Sequence, residues 1–70
     1  MRLSGIVKWF NAERGYGFII PNGSDRECFV HYSYILMDGY KTLRAGQPVT
    51  FELKKNEKGI QAHRVVRKLT

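Results

Sequence analysis

A single cysteine, Cys28, leaves no partner for an internal disulfide and no Cys-x-x-Cys spacing for a metal. The two histidines, His31 and His63, lack a second His or a Cys at ligand spacing, so no metal site is expected. No apolar run approaches the ~18 residues of a membrane span, and the N-terminus lacks the apolar stretch of a signal peptide. A reducing, cytoplasmic setting without membrane attachment is therefore expected. There is no carboxylate pair, no nucleophile beside a base and no phosphate-cradling glycine loop, since Gly15-x-Gly17 alone is too short a signal. No catalytic residue, cofactor or small-molecule substrate is expected. At 70 residues the chain is read as one domain, 1–70, near the lower size limit for a self-sufficient core. Acidic residues are also scarce, with 6 Asp and Glu against 12 Lys and Arg, giving a net charge of +6 and a pI near 9.8. Such an excess favours an anionic partner: nucleic acid first, an anionic membrane surface second.

Aromatic rings, by contrast, are more numerous than so small a core can absorb. They crowd into Arg14-Gly15-Tyr16-Gly17-Phe18-Ile19 and Cys28-Phe29-Val30-His31-Tyr32. Side chains alternate between the faces of a strand, so Tyr16 and Phe18 share one face, and Phe29 and His31 share one likewise. Their opposite neighbours Ile19, Cys28 and Val30 form the set expected to point inward. If the two strands are paired, Tyr16, Phe18, Phe29 and His31 stand side by side on one surface.

The rest of the chain supplies a small sheet. Leu3 to Phe10 is rich in Ile, Val, Trp and Phe and reads as a strand ending in the turn-forming Asn11-Ala12-Glu13-Arg14-Gly15. A second strand, Tyr16 to Ile20, runs into Pro21-Asn22-Gly23-Ser24-Asp25, where Asn-Gly favours a tight reversal. A third covers Cys28 to His31. Tyr32 to Gln47 is a long connection with one helical turn near Ser33 to Met37, and long connections in small domains often carry function. Val49, Phe51 and Leu53 alternate with polar residues on a fourth strand. Asn56-Glu57-Lys58-Gly59 then turns the chain into a fifth strand, Ile60 to Val66. Five strands with no helix layer predict an all-β fold, a sheet closed on itself, because closure removes the exposed edges. Gly15 and Gly17 stand where inward side chains would crowd a strongly curved sheet.

Stacking of a base on an aromatic ring is worth roughly 1–3 kcal/mol by alanine substitution and tolerates any base. Trp9, Tyr16, Phe18, Phe29, His31 and Tyr32 are the candidate rings, with Tyr40 from the long connection extending the row. Phe10 divides evenly between surface and core, and Phe51 belongs to the core. Lys8, Arg14 and Lys41 flank the rings in sequence, and Lys58 in the last turn is placed to reach across the same face to phosphate. His63, amid Arg64 and Arg67, reads as solvated or phosphate-facing. The C-terminal quarter carries Lys54, Lys55, Lys58, Arg64, Arg67 and Lys68 against Glu57 alone, a candidate basic patch.

Gly5-Ile6-Val7-Lys8-Trp9-Phe10-Asn11, Arg14-Gly15-Tyr16-Gly17-Phe18-Ile19 and Phe29-Val30-His31-Tyr32-Ser33 together resemble the cold-shock domain family, over essentially the whole chain. In that family the second and third segments are ribonucleoprotein motifs. The resemblance implies a five-stranded antiparallel barrel of the oligonucleotide-binding (OB-fold) type that binds single-stranded RNA or DNA and acts as a nucleic-acid chaperone or regulator of gene expression. Motif by motif it implies nucleic-acid contact by Lys8, Trp9, Tyr16, Phe18, Phe29, His31, Tyr32, Tyr40 and Lys41; Arg14 and Lys58 come from their positions beside the rings. The run from His31 to Leu43 is also similar to the D-type branch of cold-shock-like proteins, associated with stationary phase and inhibition of DNA replication.

The chain departs from common bacterial members at several places. Tyr16, Tyr32 and Tyr40 stand where Phe is frequent, which keeps the stacking surface and adds hydroxyls. Cys28 replaces a common Val, and Ile60 a common Pro. The strong positive charge predicts tighter, more salt-sensitive and less selective binding. The expected protein is thus a monomeric, non-enzymatic binder of single-stranded RNA or DNA. Its rivals are a small basic barrel that coats double-stranded DNA and a barrel that grips proline-rich peptides, the latter at odds with the charge.

Overall fold

Five strands carry the fold in a computed structural model that describes residues 2–37, 39, 41–57 and 59–68. They are β1 (Arg2–Asn11), β2 (Tyr16–Pro21), β3 (Cys28–His31), β4 (Pro48–Asn56) and β5 (Gly59–Arg67), with one 3-10 turn at Tyr32–Tyr34. Each expected strand is present, lengthened by a residue or two where pairing continues past the apolar pattern. The helical turn begins one residue earlier than its expected place. The strands close into a barrel in the order β1-β2-β3-β5-β4, with β1 also paired to β4. Four of the pairings are antiparallel, and the seam between β3 and β5 is parallel through Phe29 and Gln61. The long connection after β3 makes that seam possible, because a parallel neighbour cannot be reached through a tight turn.

The barrel interior is filled by the inward set: Val7, Ile19, Cys28, Val30, Val49, Phe51, Ala62 and Val65 are essentially inaccessible, joined by Ile35 and Leu43 from the connection. Burial pushes the Cys28 thiol up from its ordinary value, which keeps it protonated and inert. Leu53 departs from its expected place. It is 42% exposed, as the β4–β5 hairpin is exposed from there to Asn56, so alternation continues past the end of the core it predicts. Asn22-Gly23 also differs in detail. Gly23 alone takes the left-handed conformation (φ 77°), and Ser24 N–H donates to the Pro21 carbonyl at 3.1 Å. That turn is not a two-residue hairpin, since the chain continues through Glu27 before β3 begins.

Two irregularities reorient side chains. On β1, Val7 pairs with Ile19 but Trp9 with Phe18, so Lys8 is an extra, bulged residue. Strict alternation would set Trp9 on the same side as buried Val7; the bulge swings it outward. The backbone of Val7 is held at this point by the end of the connection that leads into β4, donating to the Gln47 carbonyl at 3.0 Å and accepting from Gly46 N–H at 2.7 Å. On β5, opposite the register shift between Thr50 and Glu52, Arg64 is the one non-glycine residue at positive φ (50°) among the described residues. The bulge lets Arg64 pair with Glu52 at 3.4 Å, while Arg2 meets the same carboxylate at 3.6 Å.

Candidate nucleic-acid interface

β2 and β3 pair in a register that sets Tyr16 opposite His31 and Phe18 opposite Phe29. All four side chains emerge on the outer surface, as alternation predicts, and Trp9 joins them from β1 opposite Phe18. The rings touch. Trp9 lies edge-on to Phe18 at 5.3 Å and to Tyr16 at 5.5 Å, Phe18 is edge-on to Phe29 at 5.9 Å, and Tyr16 is stacked with Phe29 at 5.9 Å. These contacts close a four-ring cluster that stays only half-buried, with Trp9 37% exposed. Each ring held at the surface forgoes part of the roughly 1.5–3 kcal/mol that full burial would give. A contiguous aromatic patch of this kind is a candidate binding surface.

Gly17 lies between these rings on the opposite face, where a Cβ would overlap the Trp9 carbonyl oxygen and sit 2.7 Å from Phe10 Cα. That glycine brings β1 and β2 close enough for Trp9 to reach Tyr16 and Phe18. Phe10 itself packs partly against the core, which resolves its even division toward the interior.

The basic residues take up distinct positions. In the turn between β1 and β2, Asn11 Oδ1 accepts from Arg14 N–H at 2.9 Å and the Asn11 carbonyl accepts from Gly15 N–H at 2.7 Å. Gly15, at φ 78°, closes the turn and receives Tyr32, whose N–H donates to its carbonyl at 2.8 Å. Arg14, Tyr32 and Lys41 thereby line one cleft beside the ring cluster, with Tyr32 49% exposed. Lys8 projects from its bulge on the other flank, where Nζ donates to Glu27 Oε2 at 2.5 Å. Sequence reading missed Glu27, because the pair spans 19 positions and follows only from the β2–β3 connection folding past β1. Both partners are exposed, so the pair is worth little and can exchange for phosphate. Tyr40 and Lys58 lie outside the described residues.

A second series of rings continues from His31. Tyr32 lies 4.5 Å from it, Tyr34 lies 5.7 Å from it, and Tyr34 is stacked on His63 at 3.9 Å with an interplanar angle of 21°. Tyr34 carried no signal in the sequence, being outside both motifs. β5 lays His63 beside the 3-10 turn, where Tyr34 covers its ring, so it is not simply solvated. Of the basic residues around it in sequence, Arg64 turns away to Glu52. His31 is oriented by Ser33: the Ser33 amide donates to Nδ1 at 3.3 Å and Ser33 Oγ lies 2.8 Å from the same nitrogen, leaving Nε2 as the ring's donor.

His63 Nε2 donates to Gln61 Oε1 at 3.0 Å. Partial burial, then the positive charge of Lys54, hold the His63 pKa below 6.5, with Glu52 opposing. The unfolded chain therefore takes up the proton at higher pH than the folded one, and the fold loses stability as pH falls through about 6.5, the loss levelling off below the folded midpoint. An NMR titration is expected to place the His63 midpoint below 6.5. Tm should fall more between pH 7 and pH 5 in the parent chain than in His63→Gln; equal falls would refute the assignment.

Residues 3–68 match the family model described as the 'Cold-shock' DNA-binding domain. The chain is 52% identical over 63 residues to cold shock-like protein CspD of Vibrio cholerae, covering 90% of this chain and 83% of that one. It is 52% identical over 61 residues to cold shock protein CapA of Pseudomonas fragi, covering 87% of this chain and 95% of the relative. CspD of Escherichia coli K12 matches at 52% over 62 residues, covering 89% of this chain and 84% of its own. Among solved structures, drosophila Unr CSD456 superposes with a TM-score of 0.81 at 20% identity, covering 99% of this chain and 27% of that longer one, a likeness of fold. With its closed barrel, its outward rings and nearly its full length matched, the chain belongs to the cold-shock domain family of nucleic-acid-binding proteins.

Proposed function

We propose that this protein captures unpaired RNA or DNA by stacking successive bases on the Trp9–Phe18–Phe29–Tyr16 cluster and on His31 and Tyr32, while Lys8, Arg14 and Lys41 meet phosphates. Tyr40 and Lys58 extend the same reading. The contiguity of the four-ring cluster on the outer wall of the barrel carries this proposal. A duplex hides its base faces, so a surface that works by stacking takes opened strands and leaves paired ones. Capture of opened strands shifts the melting equilibrium by mass action and loosens nucleic-acid secondary structure without catalysis or cofactor. Activity as an RNA chaperone or regulator of gene expression follows from binding alone, and we take the protein to act as a monomer in the cytoplasm. Replication inhibition by coating single-stranded DNA, as in the D-type branch, would use the same surface.

Trp9 reports on the face directly. Titration with an unstructured pyrimidine-rich single strand and with its duplex, at low and near-physiological salt, is expected to quench Trp9 strongly with the single strand and much less with the duplex. Quenching by the single strand should persist in salt. Equal responses to both that vanish as salt rises would overturn stacking capture in favour of a duplex-coating basic barrel driven by the +6 charge.

A further inference from the structure

The Tyr34–His63 stack lies beyond the residues that the ring motifs define; Tyr34 packs partly against the core, whereas His63 is not among the residues that do. Val65 and Ala62 fill the interior on β5, and His63 is on the other face. Parallel pairing of Phe29 with Gln61 makes the outer face of β5 a direct continuation of the outer face of β3. The ring path therefore does not stop at His31. It proceeds to Tyr34 at 5.7 Å and on to His63 at 3.9 Å.

We propose that the Tyr34–His63 pair is an additional nucleotide position, which receives the base of one further unpaired nucleotide beyond the one at His31. The inference rests on the stacking reading above and names where the strand goes next. An open cleft bordered by Tyr34, Asn56, Glu57 and Gln61 adjoins the pair. The Glu57 carboxylate on its rim disfavours a phosphate inside it. Lys54, paired with Gln61 across β4 and β5, supplies a cation at the border for the backbone. The imidazole is held in its plane by Gln61 and stays uncharged at neutral pH, so it presents a flat ring with little hydration to lose.

A length series tests this. Oligothymidylates and, in parallel, oligouridylates growing one nucleotide at a time from three to nine are titrated into the parent chain and into Tyr34→Leu/His63→Gln, which retains apolar packing at one position and a neutral polar side chain at the other. The parent should gain affinity at the step that reaches Tyr34, and the variant should lose that gain, about fivefold or more, while matching the parent on the shorter strands. A loss confined to one of the two series assigns the position to DNA or to RNA. Tyr34 and His63 ring protons of the parent should shift only with strands beyond that length, a readout independent of how well the variant folds. The same weakening at every length, or ring protons that respond equally to the shortest strand or not at all, would overturn the proposal. Failure of the parent to bind even the short strands, with no change at Trp9, would instead overturn the stacking reading on which it rests.

Discussion

Truncating Phe18 and Phe29 together (F18A/F29A) is expected to weaken binding of a pyrimidine-rich single strand on the order of 100-fold. Each ring offers one base face worth roughly 1–3 kcal/mol, and about 1.4 kcal/mol is a factor of ten, so each single change should cost about tenfold or more. The two rings are edge-to-face at 5.9 Å, so their contributions are coupled and the double variant need not equal the product of the singles. Both side chains are half-buried on the outer wall, which spares the core set when they are cut back. Binding is best followed by anisotropy of a labelled strand, because Trp9 touches Phe18 and its own emission will change. The dependence on salt should be unaltered, since no phosphate contact is removed. Replacing Arg14 or Lys41 should do the reverse, flattening log K against log salt by about 0.7 for each phosphate released. Near-parental affinity in a folded F18A/F29A variant would refute the stacking model.

Gly17→Ala is the change expected to damage the fold most for a single added methyl group. The two nearest atoms it would meet are the Trp9 carbonyl oxygen and Phe10 Cα, both backbone of the neighbouring strand, so moving the Phe10 ring aside would not relieve the overlap. Overpacking commonly costs about 1–3 kcal/mol, and a rigid neighbour places this site at or beyond the upper end. Domains of this size have only about 4–10 kcal/mol in total, so the urea midpoint should drop on the order of 2 M. Gly23→Ala is the matched comparison. It also adds one methyl group, at φ 77°, but with nothing within 4 Å it should cost only the roughly 1 kcal/mol of a left-handed alanine. Equal midpoints for the two variants would show that the close approach of β1 and β2 is not what Gly17 provides.

Strand alternation made much of this surface legible. Tyr16, Phe18, Phe29 and His31 follow from a period of two that needs no knowledge of the partner strand, and so do the buried Ile19, Cys28 and Val30. The same rule misplaces residues where the ladder slips or the core ends. Trp9 would have been interior beside Val7 but for the extra residue at Lys8. Leu53 keeps the alternation of Val49 and Phe51, yet the hairpin has by then left the core behind. The Lys8–Glu27 pair is not legible in the sequence, because its two partners stand 19 positions apart.

The chain by itself determined five strands, a basic and ring-rich outer face, and the inward set that closes over Phe51, because each depends on local periodicity, composition and turn chemistry. Only the tertiary structure decided how Trp9 reaches the other rings, that Arg14, Tyr32 and Lys41 meet in one cleft, and that the aromatic path runs on to Tyr34 and His63. These arrangements depend on a bulge, a left-handed glycine and a parallel seam between β3 and β5. Each joins residues whose separation along the chain hides their contact, and barrel closure brings them together.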